Sequence, residues 1–241
     1  MAVLLCVAAP AQELTLRSVQ QAGALLKYDP QGAPARPGLC MEVLKAVEHL
    51  DPGVRFTGLQ QQAPLKRVER LLADGDVDAF FCLLKSPQRE KLWRYVPVPL
   101  YVVRHVVVQR VDDARHFNSF EELAAASRRK RVLVVRGTAL ARHLLAADVS
   151  IAEVSSERDA LQMLALGRTD AIYGQDVNLQ RHIALAKLGD KLKLGRTVFR
   201  EEPQFLALRA TLPEAAEERL TQALRKLEKD GLLRQIAERY R

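Results

Sequence analysis

The chain has 241 residues, 48% of them hydrophobic and 27% charged, and a formal net charge of +8. That apolar fraction is enough to fill real cores and excludes a disordered chain. No stretch approaches the roughly 18–20 uninterrupted apolar residues of a membrane span.

Residues 1–11 (MAVLLCVAAPA) form an apolar run ending in Ala9-Pro10-Ala11. This small-x-small ending reads as the remnant of a secretory signal, with the mature start near Gln12. A buried first strand is the alternative. A lipid anchor at Cys6 is disfavoured by the large Leu5. Residues 14–19 alternate apolar and polar, the pattern of a strand. Residues 20–38 hold three prolines and three glycines and read as a long loop. Apolar positions 39, 43, 44, 47 and 50 mark a helix. Asp51-Pro52-Gly53 is a turn, and 54–59 is a second strand. Pro64 opens a helix over 64–73, and Gly75 ends it. Residues 78–84 (DAFFCLL) are nearly all apolar, as expected of a strand covered on both faces.

The order then recurs: strand 131–135, helix 138–147, strand 150–154, helix 157–166, strand 170–173. Such alternation predicts mostly parallel α/β lobes. Residues 101–111 are long enough to pass from one lobe to the other, and 203–208 make the return. Ser119-Phe120-Glu121-Glu122 is a capping box. Residues 214–240 are helical, with Gly231 as a break. The predicted lobes are 12–103 with 205–241, and 104–204.

One phrase occurs twice. Residues 72–81 read LADGDVDAFF and 164–173 read LALGRTDAIY. Both fit Leu-x-x-Gly-x-x-Asp-Ala plus two apolar or aromatic residues. Two similar lobes leave a cleft between them, a preferred place for small molecules. Asp78 and Asp170 of this repeat are expected in turn and strand-start roles.

Without Cys6, the cysteines are Cys40 and Cys82. Two buried thiols are the expected state, and one disulfide in an oxidising compartment is the alternative. Basic residues are scattered, apart from a solvated block at Arg128-Arg129-Lys130-Arg131. No zinc-finger or aromatic RNA-binding signature accompanies them, so nucleic acid is not an expected partner. His49, His105, His116, His143 and His182 show no metal spacing and are expected at the surface or in satisfied structural positions. Neither a cofactor nor a metal is expected.

The ordered set Leu72…Gly75…Asp78-Ala79, Ser86-Pro87-Gln88-Arg89, Pro99-Leu100-Tyr101, Phe120-Glu121-Glu122-Leu123, Gly137-Thr138, Gly167…Asp170-Ala171 and Ala223–Leu227…Asp230-Gly231…Tyr240 resembles the type II periplasmic solute-binding proteins of family 3. That group includes receptors for polar amino acids. The resemblance covers essentially the whole mature chain. It implies a periplasmic, monomeric receptor with two lobes and two hinge crossings, closing on a ligand for an ABC transporter permease.

In that family an arginine in the position of Arg89 grips the ligand carboxylate, with Ser86 beside it. Such a grip uses two parallel hydrogen bonds. Gly137 and Thr138 sit between a strand and a helix in the other lobe, with Arg136 before them as a second anion contact. Arg67 and Tyr28 are further cleft candidates. The family's ammonium-binding acid is replaced by Gln175, and Asp176 lies one position later. Basic excess and this substitution favour an anionic ligand, a carboxylate or an acidic amino acid. Alternatives are a sensory binding protein and an enzyme like the cyclohexadienyl dehydratases, with Glu42 and Asp176 as conceivable acids or bases.

Overall fold

A computed structural model describes residues 13–30, 32 and 36–240. The proposed signal remnant lies outside them. In chain order the elements are β1 (Leu14–Arg17), β2 (Gln20–Gln21), α1 (Leu39–Leu50), β3 (Val54–Thr57), β4 (Gln62–Ala63), α2 (Leu65–Asp74) and β5 (Ala79–Leu84). Next come α3 (Pro87–Glu90), β6 (Trp93–Tyr95), β7 (Tyr101–Arg110), α4 (Phe120–Ser127), β8 (Val132–Val135), α5 (Leu140–Leu145) and β9 (Ile151–Val154). The rest are α6 (Glu157–Ala165), β10 (Ile172–Gln175), α7 (Asp176–Leu185), β11 (Leu192–Leu194), β12 (Arg200–Arg209), α8 (Glu214–Lys229) and α9 (Leu232–Arg239).

The largest sheet runs β5-β12-β7-β10-β8-β9, with β6 added to β12 and β11 to β7. It is mixed, not mostly parallel. β12 is antiparallel to β5, β6 and β7, and β10 is antiparallel to β7. Among the described residues only β8–β9, β8–β10 and the small pairs β1–β3 and β2–β4 are parallel. The cause is the pair of long strands β7 and β12, which pair with each other and carry the sheet from one lobe into the next. Both crossings were expected, at 101–111 and 203–208.

Every residue of β5 is buried, as its apolar run requires. One apolar cluster joins α1, β5, α8 and α9 through Leu44, Phe81, Leu220 and Ile236. Two more flank the second lobe. Val134 and Tyr173 pack with Leu123 and Leu144 of α4 and α5, and Leu133 and Ile172 with Leu161 and Leu179 of α6 and α7. Gly231 breaks the tail between α8 and α9 at φ 76°.

The repeated phrase is an anchoring device. Gly75 and Gly167 take positive φ after their helices, which suits glycine. Each aspartate then collects cations. Asp78 accepts from the backbone N–H and Nε of Arg17 and pairs with Arg209. Asp170 pairs with Arg110, Arg115 and Lys130. These are structural strand-start roles, as expected.

Cys40 of α1 and Cys82 of β5 form a disulfide, with Cα atoms 6.1 Å apart. This corrects the expectation of two thiols. α1 packs on β5, so the two side chains meet although 42 residues separate them. Among the described residues no helix is long and apolar enough to cross a membrane.

Candidate functional site

A cavity of about 260 Å³ lies where the two lobes face each other. One wall comes from the loop 21–27, Pro64-Leu65 and the end of β5 through Arg89. The other comes from Val135, Arg136, Thr138–Leu140, Ser155–Glu157, Gln175 and Asn178. These are carboxyl ends of strands, where α/β folds place ligands.

Arg89 is held by its local structure. Ser86 caps the short helix α3, its Oγ accepting from the Arg89 N–H at 3.3 Å. Arg89 is 7% exposed. Nη1 donates to the Leu84 carbonyl at 2.9 Å, while Nε and Nη2 donate to Glu69 Oε1 at 3.0 and 2.5 Å. Arg89 therefore lines the cleft with its charge already paired. Ser86 and Gly137 line an adjoining, more open groove that Arg89 shares, together with Glu69 and Lys66.

Thr138 and Arg136 line both spaces. Thr138 does not cap a helix. Its hydroxyl donates to the Val135 carbonyl at 2.8 Å, and α5 starts only at Leu140. Arg136 extends to solvent, with Glu153 at 3.7 Å.

Gln175 lines the cleft, but Asp176 lines a separate small cavity beside Leu39 and Tyr101. A one-residue step carries it from the end of β10 into the first turn of α7, which points it elsewhere. Tyr28 is not on the cleft wall. It is buried in the core, and its hydroxyl donates to the Phe81 carbonyl at 2.9 Å. Arg67 is exposed on α2 and lines none of the described cavities. Glu42 sits at the start of α1 and accepts from the Tyr240 hydroxyl, away from the cleft.

Sequence reading did not pick out Lys27, Glu157 and Asn178, which line the cleft. Lys27 is buried, and its Nζ donates to the Cys82 carbonyl (2.8 Å) and to Gln204 Oε1 (3.1 Å). Burial, then repulsion from Arg89, pushes its pKa down to about 7, with Glu157 opposing. Glu157 opens α6 and accepts from Asn178 Nδ2 at 2.9 Å. Burial raises its pKa, against the pull of His182 and Lys27. Asn178 also accepts from the Leu26 N–H at 3.3 Å, so it touches both lobes. A signal for Glu157 was present, because it follows a strand at its carboxyl end. A buried lysine in an irregular loop leaves none.

Further contacts hold the lobes together. Arg181 donates to Asp29 at 2.9 Å, His182 Nε2 lies 3.0 Å from the Gly23 carbonyl, and Arg142 donates to Gln88 at 2.5 Å.

No protein-family model and no curated protein matches the sequence. Solved structures do match over almost the whole chain. A histidine kinase sensor domain with similarity to periplasmic binding proteins superposes with a TM-score of 0.80 at 19% identity, covering 95% of this chain and 96% of that one. The chain has the two-lobe fold of the periplasmic binding proteins. An ancestral arginine-binding protein bound to arginine gives 0.76 at 21% identity, with 95% and 99% covered. An ancestral amino-acid-binding protein, a precursor of cyclohexadienyl dehydratase, gives 0.74 at 21%, with 94% and 95% covered. In this binding-protein fold the cleft described above is the space between the lobes.

Proposed function

We propose that this chain is an extracytoplasmic receptor that captures a small polar ligand, an amino acid or another carboxylate, and delivers it to the permease of an ABC transporter. The observation that carries the reading is the charge layout of the cleft: Arg89 on one wall and Glu157 on the other. Opposite charges on facing walls suit a zwitterion. Arg89 takes the carboxylate, aided by Thr138, and Glu157 takes the ammonium in place of Asp176. We take the lobes as 12–103 with 205–241, and 104–204, and the working form as a monomer. The Cys40–Cys82 disulfide supports an oxidising compartment such as the periplasm. The solved neighbours named above include amino-acid-binding proteins, which supports the same ligand class.

The test is a thermal-shift screen against amino acids and amine-free carboxylates. A ligand at 100 times its dissociation constant adds about 2.7 kcal/mol. Amino acids should raise the melting point, and Arg89→Ala should abolish the rise. Glu157→Gln should remove the response to amino acids only. An unchanged response in Arg89→Ala sinks the assignment.

A second reading has one observation in its favour. Lys27 near pKa 7 and a Glu157 raised by burial put two tunable proton carriers in one cleft, the kind of pair that general acid–base chemistry uses. That reading makes the chain a lyase on the same fold. Mass spectrometry of ligand incubated with the chain separates the two, since a receptor returns its ligand unchanged.

A further inference from the structure

Outside the cleft, three side chains converge where β7, β12 and α5 meet. His105 sits in β7, opposite Arg200 of β12 and Gln175 of β10. His143 comes from α5 and Glu202 from β12. Nothing in the sequence spacing brings them together; the return of β12 alongside β7 does.

His105 is 0% exposed, yet neither of its ring nitrogens has a hydrogen-bond partner. That departs from the expectation of satisfied histidines. His143 Nδ1, Glu202 Oε2 and the Tyr173 hydroxyl are likewise buried and unpartnered. Buried polar atoms normally find partners, so such a group calls for an explanation. The contacts within the cluster are too long for hydrogen bonds. His105 Nδ1 is 3.6 Å from Glu202 Oε2, and His143 Nε2 is 3.5 Å from Glu202 Oε1. The two imidazoles stack at 5.5 Å between centroids.

Those separations suit ligands of a common ion. Donors about 2.0–2.1 Å from a tetrahedral zinc stand about 3.3 Å from each other. One donor atom from each of the three residues lies within 4.8 Å of the others. Two imidazoles and a carboxylate form a mixed nitrogen and oxygen set that suits zinc and its neighbours. We propose that His105, His143 and Glu202 form a site for one zinc ion, distinct from the ligand cleft.

Its place gives it a consequence. β7 and β12 are the two strands that pass between the lobes. An ion held there ties both to α5 and stiffens the hinge. Three cations oppose it, Arg200 and Arg142 beside Glu202 and, acting on His105, Lys27. Arg200 Nη2 is 3.6 Å from Glu202 Oε1, and Arg142 acts on the same carboxylate. The Arg200 side chain is about half exposed, so it can turn to solvent when an ion enters. Arg200 therefore tunes the affinity by competing for Glu202.

The experiment titrates the metal-free full chain with zinc alone and measures bound metal by dialysis and elemental analysis. Cobalt replaces zinc in a parallel titration, for its visible spectrum. One ion per chain is expected, with a four-coordinate cobalt spectrum. His143→Ala and Glu202→Gln should weaken binding at least 100-fold. Arg200→Gln should tighten it about tenfold, and His49→Ala should leave it unchanged. Circular dichroism checks that each variant folds. His105 is kept, because its burial would turn its replacement into a test of folding. No uptake by the folded chain overturns the proposal, as does uptake equal in His143→Ala and Glu202→Gln.

Discussion

Arg89 and Glu69 form a buried ion pair at the edge of the cleft, with Nη2 2.5 Å and Nε 3.0 Å from the same carboxylate oxygen. A ligand carboxylate must therefore share or replace an internal one. Glu69→Ala should leave Arg89 with an unpaired buried charge, costing roughly 3–5 kcal/mol of stability without ligand. It should also raise affinity for carboxylates, by about tenfold, or ~1.4 kcal/mol. Calorimetric titration of parent and variant checks this. Weaker binding in Glu69→Ala would mean that Arg89 serves only the fold.

The Cys40–Cys82 disulfide closes a loop spanning 42 residues of sequence separation. Chain-entropy bookkeeping gives about 4 kcal/mol for a loop of that size. Replacing both cysteines by serine should lower unfolding stability by that order, read from denaturant titration. A loss under about 1 kcal/mol would mean that α1 and β5 are held by packing alone.

Lys27 sets a pH dependence. Its folded pKa is about 7 against an ordinary value of 10.5. Between these values the unfolded chain carries a proton that the folded chain lacks. Stability therefore rises with pH across that window and is flat, from this group, below it. The contribution is a few kcal/mol. The Lys27→Met chain should lack this rise when its denaturant midpoint is followed from pH 7 to 10. An identical slope in both chains would show that Lys27 keeps its proton in the fold.

Arg181 and Asp29 join the two lobes at 2.9 Å beside a second cavity, apart from the ligand cleft. Half the pair is solvent-exposed, so its worth is roughly 0.2–1 kcal/mol. Arg181→Ala should shift the ligand-free chain toward an open form. Small-angle scattering should show a larger radius of gyration, and affinity should fall roughly two- to fivefold. Equal scattering curves would count against a latch.

Much of the fold was legible in the sequence. The apolar run at 78–84, the repeated glycine and aspartate turns, the two crossings and the break at Gly231 all rest on local pattern. The rest depends on partners far along the chain. β6 and β11 are three residues each and are defined only by pairing with β12 and β7. α7 follows Gln175, which makes no side-chain capping bond, so its start carries no signal. The parallel expectation failed because strand direction follows from β12 returning beside β7. At the site, Arg89, Ser86, Gly137, Thr138, Arg136 and Gln175 fall on the cleft or its adjoining groove. Lys27 could not be placed from sequence, since its chemistry comes from what surrounds it.

The disulfide also bears on when the cleft exists. The Cys82 carbonyl accepts a hydrogen bond from Lys27 Nζ, and the same residue's sulfur is tethered to α1. Backbone at Cys82 takes φ 65°, a conformation that side-chain-bearing residues rarely adopt. The anchor of a cleft cation is thus fastened by a bond that a reducing cytoplasm would not sustain. If the chain works outside the cytoplasm, as proposed, it would reach its binding shape only on oxidation and would not hold ligand before export. Ligand affinity measured before and after oxidation of a reduced, refolded chain should differ accordingly; equal affinities would show that the cleft assembles without the bond.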